Sequence, residues 1–250
     1  MTSGYSARDE LPQTIGALRD EIVARTTPGQ SPILLEAVAR QYATTAELSQ
    51  ILQEVLEDPG GLCEDISHRS YVHPLGFDKY VLLSGLPQFQ ARLHVWWAGQ
   101  ARTIEHVHNH RFDLASAVVQ GQLEFEVFRR AQSGMTMVRL EESLQSRTLD
   151  WEFRQAGKLT IERALTASLT RGSSYSLTAD TMHRVTVDKG IFTATLFIET
   201  RALRPTTTVL VAPCDEPPRR LDRTTLSVAE CKWRLQRVIE RLSAEGAVRG

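Results

Sequence analysis

Between Tyr71 and Ile198 the chain consists of short apolar runs separated by glycine or polar turns, and this pattern constrains the fold most. Residues 123–128 alternate apolar and acidic side chains, which is typical of a strand with one face in water. Many such strands predict a sandwich, a barrel or a double-stranded β-helix. We expect the strands at Tyr80–Leu83, Phe89–Trp97, Ala117–Val119, Leu123–Phe128, Thr136–Leu140, Leu159–Ile161, Tyr175–Leu177, His183–Val187 and Ile191–Ile198.

Helical spacing of apolar residues is confined to the two ends of the chain. The spacing predicts helices near residues 11–25, 33–42 and 46–56, and a last helix that begins at a capping box of Ser227 and Glu230. We therefore expect an N-terminal helical extension over residues 1–68, packed on a β-barrel over residues 69–212. A linker and the C-terminal helix then occupy residues 213–250.

Charge and motif content exclude several functional classes. The 250 residues carry 29 Lys and Arg against 30 Asp and Glu, so a basic surface for nucleic acid is not expected. No apolar run approaches the roughly 20 residues of a membrane helix, and the N-terminus lacks the apolar core of a secretory signal. The three cysteines are far apart, and no nicotinamide, ATP or serine-hydrolase motif occurs. We expect a cytoplasmic protein with a small-molecule partner.

Three histidines within five residues form the chain's most chemically specific pattern. On an extended strand His106, His108 and His110 point to the same side, because alternate residues share a face. Two of these imidazoles can bind one metal ion, and iron, zinc, copper and nickel all accept such ligands. A third ligand must then come from elsewhere in the chain. The alternative is a hydrogen-bonded histidine strand that binds nothing.

The residues that follow resemble the first motif of the cupin superfamily, H-x-H, then usually Glu, then Gly. His108, His110 and Gly121 match this motif, whereas Leu114 stands at the position of the Glu. Asp113 could replace that carboxylate only through a bulge in the strand. The second motif, G-x5-P-x-G-x2-H-x3-N, is matched at Gly172 and at its histidine, but its Pro, Gly and Asn are replaced.

This resemblance implies a mostly β protein with a cupin-type double-stranded β-helix (jelly-roll) barrel, N-terminal helices and a C-terminal helix. It also implies that His108, His110 and His183 hold a metal ion. His106 lies one strand step earlier and is the alternative ligand.

Within the cupins, the chain is most similar to the thiol dioxygenases, the cysteine dioxygenase type. Gln120–Leu123 resembles the Q-G-x-L of that branch, and Met182–Val185 resembles its L-H-R-V. Lys79 occupies the place of the arginine that binds the substrate carboxylate there. The Ser-x-His-x-Tyr network of the branch is absent, because Thr193–Phe197 stands in its place. This departure argues against a cysteine dioxygenase.

Together these patterns predict a mononuclear non-heme Fe(II) dioxygenase that uses O2 and a small polar substrate, either amino-acid-like or thiol-bearing. Three neutral imidazoles leave the iron at charge +2, which favours an anionic substrate that chelates it. Zn, Ni, Mn or Cu are alternative metals. A redox-neutral isomerase, lyase or hydrolase and a non-catalytic binding module remain alternative functions, and the resemblance implies a possible homodimer.

Four further residues are candidate catalytic groups. Lys79 and Arg92 are candidates to hold a substrate carboxylate, and Tyr175 and Thr195 are candidates for the pocket wall. Lys79 could equally be a solvated charge at a strand edge. Since Leu93 and Val95 could face the barrel core, we expect His94, between them, to point outside it.

Overall fold

The computed structural model describes residues 11–26, 31–99, 103–144, 151–188, 190–216, 220–221 and 223–246. Within these ranges no helix is both long and apolar enough to span a bilayer. The elements, in chain order, are α1 (Gln13–Arg25), α2 (Ile33–Tyr42), α3 (Thr45–Glu57), α4 (Leu62–Arg69), β1 (Tyr71–His73), β2 (Phe77–Gly85), β3 (Phe89–Trp96), β4 (Thr103–Ile104), β5 (Val107–His108), β6 (Leu114–Gln120), β7 (Gln122–Leu144), β8 (Trp151–Thr170), β9 (Ser174–Leu177), β10 (Met182–Val187), β11 (Thr193–Thr200), β12 (Thr207–Val211), β13 (Arg220–Leu221), β14 (Thr224–Thr225) and α5 (Val228–Gly246).

The strands form two antiparallel sheets that face each other. The first sheet has the order β14-β1-β2-β3-β11-β6-β9, and the second has the order β13-β8-β7-β12-β5-β10-β4. In addition β7 pairs with β10, so the second sheet curls back on itself. With helices before and after the strands, this architecture confirms the predicted mostly β, cupin-type barrel.

The first sheet is buried on both faces, and each face belongs to a different core. One core joins the outer face to helices α1–α5 and contains Leu93 and Val95 of β3. The other core lies between the sheets and contains Trp96 and Phe197. Since successive strand residues point to opposite faces, Arg92 and His94 must face the barrel interior. The expectation that His94 points outside was therefore wrong.

Two predicted helix starts are confirmed by their capping contacts. Thr44 Oγ1 accepts a hydrogen bond from the backbone N–H of Glu47 (3.1 Å), and Ser227 Oγ accepts one from Glu230 (3.2 Å). Helix α4 was not predicted. The chain turns at Gly61 (φ 83°), and the side chain of Asp58 accepts a bond from the first residue of α4 (2.9 Å).

A long hairpin replaces the short strands predicted between residues 123 and 161. Strands β7 and β8 run side by side for 23 and 20 residues, with irregular register where β7 bulges between Arg130 and Met135. Much of this hairpin is exposed on both faces. Beyond residues 123–128, the exposed part of its sequence therefore lacks the apolar alternation that marks a half-buried strand.

The C-terminal helix is joined to the barrel by a buried carboxylate. Asp78 of β2 is fully buried and accepts hydrogen bonds from Tyr80 Oη (2.9 Å) and Trp97 Nε1 (2.6 Å). Arg234 of α5 reaches both carboxylate oxygens through Nη1, at 2.8 and 2.9 Å. These hydrogen bonds hold α5 against the barrel, in addition to the packing of the apolar face of the helix.

The turn between β6 and β7 depends on a glycine. Gly121 has a φ of 79°, in the left-handed region that side chains rarely adopt. A Cβ atom there would lie 2.3 Å from the carbonyl oxygen of Phe192. The glycine that matches the first cupin motif is therefore required by the backbone geometry.

Candidate metal centre

Three histidine side chains of the second sheet converge on the barrel interior. Each of His108, His110 and His183 offers a ring nitrogen, and these nitrogens all lie within 4.8 Å of one another. Two nitrogens bound to one ion at about 2.1 Å can be at most about 4.2 Å apart, so the rings need to close in only slightly. Among the described residues, these three histidines are the set of potential metal ligands whose donor atoms lie this close together.

Strand register brings the first and third histidines together. His183 lies directly opposite His108 in the β5–β10 pair. His110 lies two residues beyond the end of β5. Between them, Asn109 is bonded to β12, because its Oδ1 accepts a hydrogen bond from the backbone N–H of Thr208 (2.7 Å). The side chain of Asn109 points away from the cluster, so that its neighbours on either side point into it.

His106 contributes its backbone rather than its ring. Its carbonyl oxygen lies 2.8 Å from Nδ1 of His108. Because a carbonyl can only accept, Nδ1 of His108 carries the proton and Nε2 has the free lone pair. A partner of this kind fixes the tautomer of metal-binding histidines.

The other two rings are held in the neutral form that metal binding requires. Burial, together with the neighbouring His108, lowers the pKa of His110 and of His183 well below the usual range. Within the described part of the chain, the buried Nδ1 of His183 makes no hydrogen bond. Three converging imidazoles, one of which has a buried, unpaired nitrogen, fit a divalent transition-metal ion such as Fe(II) or Zn(II).

The carboxylate of the cupin motif is not replaced by its neighbour. Leu114 is fully buried at the position of the missing Glu. Asp113 turns away, and its Oδ1 accepts a hydrogen bond from the backbone N–H of Ala179 (2.7 Å) in the turn before β10. Asp113 therefore positions the strand that carries His183.

All four candidate catalytic residues lie on the interior face of the first sheet. Lys79, His94 and Thr195 stand opposite one another in adjacent strands, in a row that ends at the interior residue Val118. Arg92 and Tyr175 belong to the next row, with Phe197 and Ser116 between them. Residues directly opposite each other in antiparallel strands share a face, so the side chains of both rows face the barrel interior, where the histidines lie.

Lys79 is placed inside the barrel rather than at a solvated edge. Its Nζ lies 5.4 Å from the ring centre of Tyr71, which is in the adjacent strand. Burial and the Arg92 guanidinium lower the pKa of Lys79 well below its usual range. The side chain forms no ion pair with any described residue.

Arg92 is paired with a carboxylate that the sequence analysis did not single out. Its Nη2 donates to Glu199 and to Gln90 Oε1 (2.6 Å), and its Nε also donates to Gln90 (3.2 Å). The guanidinium carbon lies 5.6 and 5.7 Å from the ring centres of Phe112 and Phe197. Both rings also contact His110, at 5.2 and 5.9 Å.

Tyr175 and Thr195 pack inside the barrel. The Tyr175 ring lies 4.5 Å from that of Phe125, which in turn lies 5.9 Å from His183. Burial raises the pKa of Tyr175, although a hydrogen bond with Ser116 opposes this shift, so the phenol stays protonated. Thr195 is almost completely buried.

Two carboxylic acids, Glu105 and Glu142, also lie near the centre. Burial raises the pKa of both, and the nearby His108 and Lys79 partly oppose that shift. His73 also belongs to this region, because burial together with Lys79 and His108 lowers its pKa. Glu142 and Glu199 gave no signal in the sequence, since a glutamate in an alternating strand is typical of a solvent-exposed face.

Comparisons with known proteins identify no close relative. No family model and no curated protein matches this sequence. Among solved structures, the cupin domain of Cnp3 from Schizosaccharomyces pombe matches at 10% identity and a TM-score of 0.32, over 50% of this chain and 64% of that one.

Two further solved structures match at similar levels. A cupin-like protein from Thermotoga maritima has 14% identity and a TM-score of 0.33, over 58% of this chain and 81% of that one. The DMSP lyase DddQ from Ruegeria pomeroyi has 14% identity and a TM-score of 0.34, over 56% and 54%. With scores of this size, the assignment of the fold depends on the strand pairing and packing described above.

Proposed function

We propose that this chain is a mononuclear non-heme iron oxygenase that oxidises a small polar substrate with O2. The observation that carries the proposal is the donor set: three imidazoles inside the barrel, with Leu114 where a carboxylate ligand would stand. His108, His110 and His183 would hold the ion. Bound Fe(II) would supply open coordination positions and the redox chemistry of O2 activation.

The residues opposite the histidines support an anionic substrate. Lys79 points into the same interior and has no acidic partner within ion-pair distance in the described ranges, so it is available to a carboxylate. Arg92 is already paired with Glu199 and Gln90. We therefore assign Arg92 to the positioning of its neighbours and Lys79 to direct contact with the substrate.

Tyr175 and Thr195 would orient the substrate rather than move protons. The raised pKa of Tyr175 keeps its hydroxyl as a hydrogen-bond donor. Thr195 lies in the row of Lys79 and His94, so its hydroxyl can reach the same bound molecule. The aromatic rings of Phe112 and Phe197 beside His110 would limit the access of water from this side of the centre.

A second candidate function is a redox-neutral reaction, such as a lyase or isomerase reaction, in which the metal acts as a Lewis acid. The observation that favours it is the presence of Glu105 and Glu142 near His108. Burial raises the pKa of both carboxyl groups, towards the range in which they can accept and return a proton.

The test is metal analysis followed by O2 uptake on protein purified without air. Amino acids, thiols and hydroxylated acids would be added to the Fe(II)-loaded protein. We expect about one iron per chain and O2 uptake that depends on one substrate class. The His183→Ala variant should lose the iron, whereas His106→Ala, which keeps the backbone carbonyl bonded to His108, should retain it.

Each other outcome is decisive. Tightly bound zinc, with substrate turnover but no O2 uptake, would replace the oxygenase proposal by the redox-neutral one. Protein that binds no metal after reconstitution would refute both proposals. Iron retained in His183→Ala would show that the ligand assignment is wrong.

A further inference from the structure

The barrel interior holds a second set of polar atoms that the metal centre does not use. Glu199 is 4% exposed, and its Oε1 accepts a bond from Arg92. Its other oxygen, Oε2, is buried and has no hydrogen-bond partner among the described residues. Nε2 of His94 is likewise buried without a partner there. Buried polar atoms in folded proteins are normally satisfied, so each unpaired atom needs an explanation.

The packing places these atoms close to the three histidines. The Phe197 ring lies 5.0 Å from His94 and 5.9 Å from His110, and it lies against the Arg92 guanidinium. Glu199 follows Phe197 by two residues on β11, so both side chains point to the same interior face. One aromatic ring therefore lies between His94 and the candidate ligand His110, and the Arg92 guanidinium that packs against this ring also binds Glu199.

The contacts around Arg92 and Glu199 are typical of a binding site. Arg92 is fixed by Gln90, by Glu199 and by the rings of Phe112 and Phe197. Gln90 is itself bonded to Ser84 Oγ (3.2 Å). A carboxylate held in this way at one oxygen presents the other in a fixed position, which is the arrangement that binding sites use for selectivity.

We propose that Glu199 Oε2 binds an N–H or O–H donor on the substrate. With Lys79 available to a carboxylate on the same face of the sheet, the substrate class is a small carboxylic acid that also carries an amino or hydroxyl group. This inference rests on the proposed function for the place where the reaction occurs. His94 Nε2, which can donate or accept, supplies a second contact.

The inference is tested by binding measurements with matched triplets. Each triplet contains an amino acid, the hydroxy acid and the parent carboxylic acid of one carbon skeleton, with alanine, lactate and propionate as the smallest. Binding to the full chain is measured by calorimetry and ligand-observed NMR, before and after metal removal. We expect the donor-bearing member of at least one triplet to bind at least about 10-fold more tightly than the parent acid. Comparison of the amino and hydroxy members identifies the donor.

Two variants assign the preference to the proposed atom. Glu199→Gln keeps an oxygen for Arg92 but replaces an acceptor with an N–H2 group, so the preference should fall to the level of the parent acid. Glu126→Gln is the matched control. Glu126 is also a buried, arginine-paired glutamate, but its two oxygens are occupied by Arg163 (2.8 Å) and Arg184. This control should keep the preference.

The outcomes separate this inference from the proposed function. Equal binding of parent acids, a preference that survives in Glu199→Gln, or no binding by any triplet would overturn the inference, even if the protein binds iron and consumes O2. A preference that persists in protein unable to bind metal would support the subsite and refute the oxygenase. If Glu199→Gln does not fold, the absence of a donor preference in the unaltered protein would still overturn the inference.

Discussion

Replacement of Arg234 by methionine tests how strongly the C-terminal helix is tied to the barrel. In the folded protein Asp78 is fully buried, and the guanidinium of Arg234 is its cationic partner, at 2.8 and 2.9 Å. Methionine keeps much of the volume of the side chain and removes the charge. The variant therefore leaves a buried carboxylate with the hydroxyl of Tyr80 and the indole of Trp97 as its neutral donors.

The expected magnitude follows from these contacts. Loss of one partner of a buried ion pair costs about 3–5 kcal/mol, because the remaining charge is uncompensated. The two neutral donors remain, and the Arg234 side chain is 20% exposed, so water can reach the gap. We therefore expect the free energy of unfolding to fall by about 3 kcal/mol. Adding Asp78→Asn to this variant should recover part of the loss, because the amide carries no charge.

The assay is urea unfolding followed by circular dichroism and tryptophan fluorescence. Arg237→Met is the matched control, because Arg237 lies on the same helix and pairs with Glu240 on the surface. It should change stability by no more than about 0.5 kcal/mol. The reasoning would be refuted if Arg234→Met lost less than about 1 kcal/mol. It would also be refuted if the losses from Arg234→Met and Asp78→Asn simply added.

Three other predictions follow from features of the barrel. Since burial lowers the pKa of His110 and His183, these two rings bind fewer protons in the folded metal-free protein than in the unfolded chain, and their contribution to stability is lost at up to about 1.4 kcal/mol per group and pH unit as the pH falls below about 6.5. Burial raises the pKa of Glu105, Glu142 and Glu199, which opposes this trend, so the test compares urea unfolding of the unaltered protein with that of His110→Gln between pH 7 and 5. The variant should show the shallower loss, and equal slopes would contradict the prediction. Gly121→Ala should lower the free energy of unfolding by at least about 2 kcal/mol, because the residue has a positive φ and the added Cβ would lie 2.3 Å from the carbonyl oxygen of Phe192. An unchanged melting temperature would disprove the steric argument. Glu36→Ala should cost about 2 kcal/mol, because the carboxylate accepts bonds from two serine hydroxyls of β9 at 2.9 and 2.8 Å; equal stability of the variant in thermal unfolding would show that water replaces those bonds.

The arrangement of the histidines was predictable because it depends on local geometry and motif spacing. The two-residue period of a strand places His108 and His110 on one side, and the motif offset identified His183, which the structure places directly opposite His108. Its role as a metal ligand stays a prediction. The choice between the rings of His106 and His108 needed the tertiary structure, which uses the His106 carbonyl as a hydrogen-bond acceptor.

The facing of β3 could not be predicted from its sequence. A strand that is buried on both faces carries apolar residues on both, so Leu93 and Trp96 gave no indication of which face belonged to the barrel. The role of Glu199 was hidden for a related reason. Its partner Arg92 is 107 residues away in the chain, and no periodic pattern reports a contact at that separation.

The first sheet connects the helices to the candidate site, because one of its faces packs on the helices and the other faces the histidines. Along β3, Leu93 and Val95 pack in the helical core, while Arg92 and His94, which alternate with them, form the wall of the interior. A single layer of backbone separates the two environments. Any shift in how α1–α5 pack, whether from a substitution or from a molecule bound to their outer surface, therefore moves the wall opposite the histidines. Selection for site geometry would then act on helix residues that never touch a ligand.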